Sequence, residues 1–280
     1  MHYFSYLSLF AGIGGFECGF KQAFADHAAD PQGVTKQAHI SSPRDRPLPN
    51  RRLEPAHCVG FSEIDPCAER IYRTHFPHHP ALGDVTRIDA QSLPDFDLLC
   101  GGFPCQSFSI NGKRHGLDDP RGALFFDIAR IAKIKQPRFL FLENVKGFLS
   151  DTGGQTAQYC FATLDELGYD CQWQVLNSKD FGLPQNRERV FIVGHHRSQA
   201  RPEIFPFLRK AQRPTATDQI VRLDRRQLHH LRRLTPLEYE RLQGFPDDWT
   251  RNTSDHARYR CLANAVNPHL VAAITKRLFV

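Results

Sequence analysis

The sequence contains no run of 18 apolar residues, no C-x-x-C pair and no histidine spacing of the zinc-binding kind. The first absence argues against a membrane-spanning helix. The other two, with eight cysteines scattered at positions 18, 58, 67, 100, 105, 160, 171 and 261, argue against a zinc module and read as reduced thiols of a cytosolic, cytoplasmic protein. No metal site is expected. The apolar opening from Tyr3 to Phe16 has no basic flank and runs into glycines, so it does not read as a signal peptide. The dinucleotide fingerprint G-x-G-x-x-G is also incomplete, because Glu17 stands where its third glycine belongs. That argues against hydride transfer.

A chain of 280 residues with 41% hydrophobic and 24% charged residues suits one large α/β domain, or one domain with a small appendage. The net charge of +6 is concentrated: residues 195–233 hold ten Lys/Arg against three acids. Such a cluster suits a face for a polyanion, the alternative being a solvated surface.

Along the chain, apolar runs alternate with helical patterns, and residues able to do chemistry fall just past the runs. Tyr6 to Phe10 reads as a first strand, followed by the turn Ala11-Gly-Ile-Gly-Gly15 and a helix to about Ala28. A strand, a glycine turn and a helix amino-terminus make a site for an anionic group, because backbone N–H groups point at it and glycine allows close approach. Residues 31–56 carry five prolines and no sustained apolar period, and read as an insertion loop. Cys58 to Ser62 reads as a second strand ending at Glu63, placed either to accept from ribose hydroxyls or simply to face solvent. Pro66 opens a helix to about His75. Asp84 is expected at the end of a third strand, Gly83-Asp-Val85, as an acceptor for an adenine amino group.

The chain centres on Gly101 to Ser109, Gly-Gly-Phe-Pro-Cys-Gln-Ser-Phe-Ser, which follows the apolar run Phe96 to Cys100. Cys105 in that loop is either a thiolate nucleophile or a buried small hydrophobe, and the loop alone leaves both open. Ile110 to Gly122, with Lys113, Arg114 and Arg121, is expected to close over a polyanion or to be a plain connector. Arg138 to Leu142 reads as a buried strand delivering Glu143-Asn-Val145 beside the thiol. An apolar site raises a carboxyl pKa, so the pair can divide acid and nucleophile roles. Arg187 and Arg189 are expected to point together into the site through strand alternation, or else to be structural ion-pair partners.

Taken together and in order, these segments resemble the bacterial DNA (cytosine-5) methyltransferases, which use S-adenosyl-L-methionine. Phe10-Ala-Gly-Ile-Gly-Gly15 resembles the family's cofactor loop, Glu63-Ile64 and Asp84-Val85 its ribose and adenine contacts, and Phe103-Pro104-Cys105-Gln106 its nucleophile motif. Glu143-Asn-Val145 is similar to the acid motif, Gln185-x-Arg-x-Arg189 to the arginine motif, and Arg233 to Asp247 to the segment that supports the recognition domain. Ala263-Asn264-Ala265-Val266 resembles the last motif, with Ala263 where glycine is usual, a tolerable methyl near a backbone turn.

The resemblance implies a Rossmann-like α/β fold, with a mostly parallel sheet and helices on both faces, plus a reduced small domain. Residues 1–194 and 259–280 would form the catalytic and cofactor-binding domain, and 195–258 an abbreviated target-recognition region. It implies cofactor contacts from Phe10, Ile13, Gly14, Gly15, Glu63, Ile64, Asp84, Val85, Phe103, Pro104, Asn264 and Ala265. Catalytic roles would fall to Cys105 as nucleophile, Glu143 as acid, Arg187 as a clamp on the base and Arg189 as its support. Gln106, Ser109, Lys113, Arg114, Arg121, Arg225 and Arg226 would contact double-stranded DNA, whose target base must be flipped out to react. The product of the cofactor would be S-adenosyl-L-homocysteine. The expected setting is a restriction-modification system with a cognate endonuclease. The short recognition region leaves room for a second subunit, or for a non-catalytic DNA-binding role. The Cys-Phe-Thr motif that marks the tRNA methyltransferases of this fold is absent.

Overall fold

A computed structural model of the chain describes residues 4–29, 56–104, 123–199, 202–207 and 233–279. Six strands form one sheet in the order β2-β1-β3-β4-β6-β5. These are β1 (Phe4–Leu9), β2 (Ala56–Ser62), β3 (Leu98–Gly102), β4 (Phe139–Val145), β5 (Tyr169–Asn177) and β6 (Glu188–His196). The first four strands in that order are parallel, and β6 runs antiparallel to both β4 and β5.

The near-continuous apolar runs follow from cover on both faces. Leu7, Leu9, Leu99, Leu140 and Leu142 face α3 (Ala123–Lys135) and α4 (Gln155–Glu166), where Ile128, Ile131 and Leu164 meet them. Their neighbours Phe4, Tyr6, Leu98, Phe139 and Phe141 face α1 (Gly15–Ala29) and α7 (Pro268–Phe279). In α1 the spacing of Phe16, Phe20 and Phe24 lays one stripe on the sheet, each ring contributing about 1.5–3 kcal/mol on burial. A third apolar cluster joins α2 (Pro66–His75) and α6 (Asp255–Asn264) around Trp249. No helix among the described residues is long and apolar enough to cross a membrane.

Local chemistry sets the helix starts near the cleft. Asp65 accepts from Cys67 N at 2.9 Å and Pro66 follows it, so α2 begins where proline and an N-cap acid both favour it. A capping box between Thr235 and Glu238 starts α5 (Pro236–Gln243), and Gly244 in the left-handed region ends it. Fully buried Glu240 then accepts from Thr250 N at 2.8 Å and Arg258 Nη2 at 3.1 Å, tying α5 to α6.

Three expectations need correction. No strand ends at Gly83-Asp84; a single parallel bridge, Phe61 to Ala81, stands there, and Asp84 caps a 3-10 turn over Val85–Arg87. Pro80 and Gly83 confine the extended stretch to two residues. Secondly, β4 continues through Val145, because antiparallel pairing with β6 carries it as far as Arg189. Glu143 is therefore inside the strand and not past its end. Thirdly, Ala263 lies within α6, where its methyl group suits the backbone, and no turn occurs there. The described ends of the 195–258 region pack on the same body. Gln172 and Gln174 of β5 bind the backbone of residues 202–207 through their side-chain amides, and Ile204 is fully buried.

Candidate active site

A cleft of about 500 Å³ opens at the carboxyl ends of β1 to β4. In open α/β sheets a ligand crevice lies at that edge. Of the expected cofactor residues, Phe10, Glu63, Ile64, Asp84, Val85, Phe103, Pro104 and Asn264 line it. Ile13, Gly14, Gly15 and Ala265 are not among the lining residues. Ile13 is buried, and its carbonyl accepts from Trp249 Nε1 at 2.8 Å. A β-carbon on Gly14 would come within 2.6 Å of the Phe76 ring, and one on Gly15 within 2.4 Å of the Val266 carbonyl, so both glycines permit close packing behind the loop.

Glu63 is held by backbone. Its Oε2 accepts from Gly12 N at 2.7 Å, and its Oε1 accepts from Ile64 N at 2.9 Å and Asp65 N at 2.8 Å. A carboxylate offers about four lone-pair sites, so one remains for a ligand hydroxyl. The Thr86 backbone N–H, 3.0 Å away, holds the Asp84 carboxyl below its ordinary range. Ile64 is 73% exposed, an apolar side chain kept at the cleft mouth.

At the other end, Glu143 is 7% exposed and pairs across the sheet with Gly102. A β-carbon on Gly102 would approach Glu143 Oε2 to 3.1 Å, so the glycine makes room for the carboxyl. Burial pushes Glu143 up to about 7, against the opposing pull of Arg189 and Arg187. Arg189 Nε lies 3.1 Å from Glu143 Oε1. Arg187 precedes β6, so strand alternation does not aim it. It reaches the cleft with its Nη2 donating to the Ala265 carbonyl at 2.9 Å, and its Nε is buried without a partner. Burial and the neighbouring Arg189 lower the Arg187 guanidinium to about 10.

The family description "C-5 cytosine-specific DNA methylase" matches residues 4–229 and 204–280, nearly the whole chain. The chain belongs to that family. Among relatives of this chain, Type II methyltransferase M.NlaX of Neisseria lactamica is 31% identical over 98% of this chain and 96% of its own. M.HhaI of Haemophilus parahaemolyticus is 38% identical over 67% of this chain and 48% of its own, and M.NlaIV of Neisseria lactamica 38% over 71% and 43%. The chain thus spans less than half the length of several curated relatives it matches. Among solved structures, S. pombe Dnmt2 methyltransferase aligns with a TM-score of 0.70 at 20% identity, covering 98% of this chain and 97% of its own. A putative DNA modification methyltransferase from an E. coli prophage aligns at 0.65 and 19%, covering 98% of each. At such identities these two speak for the fold alone.

Gly12, Gly102, Asn144, Val145 and Ala263, which stand inside the motifs without a role of their own, also line the cleft. Ser62 and Leu124 line it as well, and they lie outside the motifs. Cys105, Gln106, Ser109, Lys113, Arg114, Arg121, Arg225 and Arg226 lie outside the described residues, as do most of the proline-rich insertion and residues 208–232.

Proposed function

We propose that this methylase transfers a methyl group from S-adenosyl-L-methionine to carbon 5 of cytosine in double-stranded DNA. The observation that carries the reading is Glu143: a buried carboxyl with a pKa near 7, flanked by two arginines, on the strand beside the one that leads into Cys105. The residues of the cleft fit the cofactor. Carboxylates of Glu63 and Asp84 offer acceptors to a ribose and an adenine amino group, and Phe10, Ile64, Val85 and Phe103 offer apolar contact. When bound, S-adenosyl-L-methionine supplies an electrophilic methyl group and leaves as S-adenosyl-L-homocysteine.

Carbon 5 of cytosine is a weak nucleophile, so the chain must load electron density onto the ring. Cys105 thiolate adds to carbon 6 while protonated Glu143 donates to ring nitrogen 3, which spreads the developing charge. Arg187 orients the base through its free guanidinium edge, and Arg189 keeps the Glu143 carboxyl in place. After methyl transfer, loss of the carbon-5 proton and expulsion of Cys105 restore the aromatic ring. The base reacts outside the helix, at a cost of a few kcal/mol, offset by contacts in the pocket.

The designation of the relatives as Type II methyltransferases supports a modification role in a restriction-modification system. A cognate endonuclease, or a second subunit that reads the target, is the matching partner. Incubation with methyl-labelled S-adenosyl-L-methionine and mixed bacterial duplex DNA tests the reading. Label on carbon 5 of cytosine is expected. Label confined to tRNA, or to no nucleic acid, overturns it.

A further inference from the structure

The ladder between β5 and β6 ends at the pair Asn177 and Glu188, so Arg187 is the first residue beyond it without a strand partner. The Asn177 side chain takes over at that point. Its Oδ1 accepts from Arg187 N at 3.2 Å and from Lys179 N at 3.2 Å, while its Nδ2 donates to Asn186 Oδ1 at 2.6 Å. The Arg187 carbonyl is held from the same turn, accepting from Ser178 N at 3.0 Å. Asn267, the residue before α7, donates from Nδ2 to Ser178 Oγ at 3.4 Å. Asn177 is 3% exposed, sits outside the cleft lining, and spends both of its side-chain polar atoms on the segment that carries Arg187.

Arg189 opposes the charge of Arg187, so the place of the Arg187 guanidinium depends on the contacts that hold it and its segment. Here the Arg187 backbone N–H is shared between Asn177 Oδ1 at 3.2 Å and the Gln185 carbonyl at 3.1 Å, Ser178 N holds the carbonyl, and the Ala265 carbonyl holds the guanidinium. We infer that Asn177 is a positioning residue for the base-binding step, holding the Arg187 guanidinium in the cleft by extending the β5–β6 ladder one residue with its side chain. The inference rests on the role given above to Arg187.

The test compares methyl transfer to duplex DNA by Asn177→Ala, Asn177→Asp, Arg187→Ala and the Asn177→Ala/Arg187→Ala double variant, with cofactor binding and Tm measured alongside. Misplacing a group that orients a reactant slows turnover by about tenfold to a hundredfold, so Asn177→Ala is expected in that range with cofactor affinity unchanged. Asn177→Asp retains the acceptor oxygen and is expected to recover most of the rate. In the double variant the Asn177→Ala effect is expected to vanish, leaving the rate of Arg187→Ala, because residues acting through one another are not additive. Full multiplication of the two effects, or an Asn177→Asp protein as slow as Arg187→Ala, overturns the inference, and the Asp variant decides it if the Ala variant fails to fold. Full activity in Arg187→Ala would sink the role of Arg187 itself. A slow Arg187→Ala beside a fully active Asn177→Ala would sink only the role of Asn177.

Discussion

Glu63 and Glu143 line one cleft and carry the same side chain into different surroundings. Glu63 is held by three backbone N–H groups. Glu143 sits within β4, where burial outweighs two arginines, the setting that keeps a proton near neutral pH. On the function proposed above, the first would be a fixed acceptor for the cofactor and the second a proton donor to the base. Backbone geometry makes the difference: the turn after β1 aims Gly12 N at Glu63, whereas the Gly102 position opposite Glu143 contributes only space.

The contrast breaks most visibly if the acid is removed. Glu143→Gln is expected to lower turnover by about 10²–10⁴-fold, the usual worth of a positioned proton donor, while cofactor affinity stays put. Methyl-transfer kinetics and calorimetry separate the two readouts. Glu63→Ala should do the reverse. It loses hydrogen bonds to a charged group worth about 1.5–3 kcal/mol each, so cofactor affinity is expected to fall about tenfold to a hundredfold, with a smaller effect on turnover once the enzyme is saturated.

The pH dependence sharpens the comparison. Glu143 has its folded value raised from the ordinary 4.5 to about 7, so its stabilising contribution is complete in acid and disappears as pH climbs through about 7. Relative to Glu143→Gln, the wild-type chain is expected to lose roughly 2–3 kcal/mol of stability across that window, following 1.36 kcal/mol per unit. Urea unfolding at pH 5 and pH 8 measures it, and an identical difference at the two pH values contradicts the assignment. The smallest effect belongs to Ile64→Ser at the cofactor end. Loss of an exposed apolar contact worth about 1 kcal/mol should weaken cofactor binding several-fold and leave turnover alone.

Much of this contrast is legible in the sequence. The apolar runs located β1 to β4 within three residues, and Pro66 marked the start of α2. The spacing of Glu63, Glu143, Arg187 and Arg189 along the chain pointed to one edge of the sheet, and all four line the cleft. What escaped was non-local. The length of β4 depends on β6, roughly 45 residues away in sequence, which no local period records. A glycine turn suits a ligand and tight packing alike, and the packing of Gly14 on Phe76 and of Gly15 on Val266 has no local signature in the sequence. Asn177 carried no signal of its own, since an asparagine at a strand end is ordinary until Arg187 is placed beside it.

A duplex carrying 5-fluorocytosine in place of the target cytosine offers the most direct measurement, because fluorine at carbon 5 blocks the final elimination and leaves any enzyme thiol attached to the base. In the presence of S-adenosyl-L-methionine, the wild-type chain is expected to form a covalent adduct mapped by mass spectrometry to Cys105, and Glu143→Gln to form it far more slowly. An adduct on another residue, or one that forms at the wild-type rate without the Glu143 acid, would contradict the account.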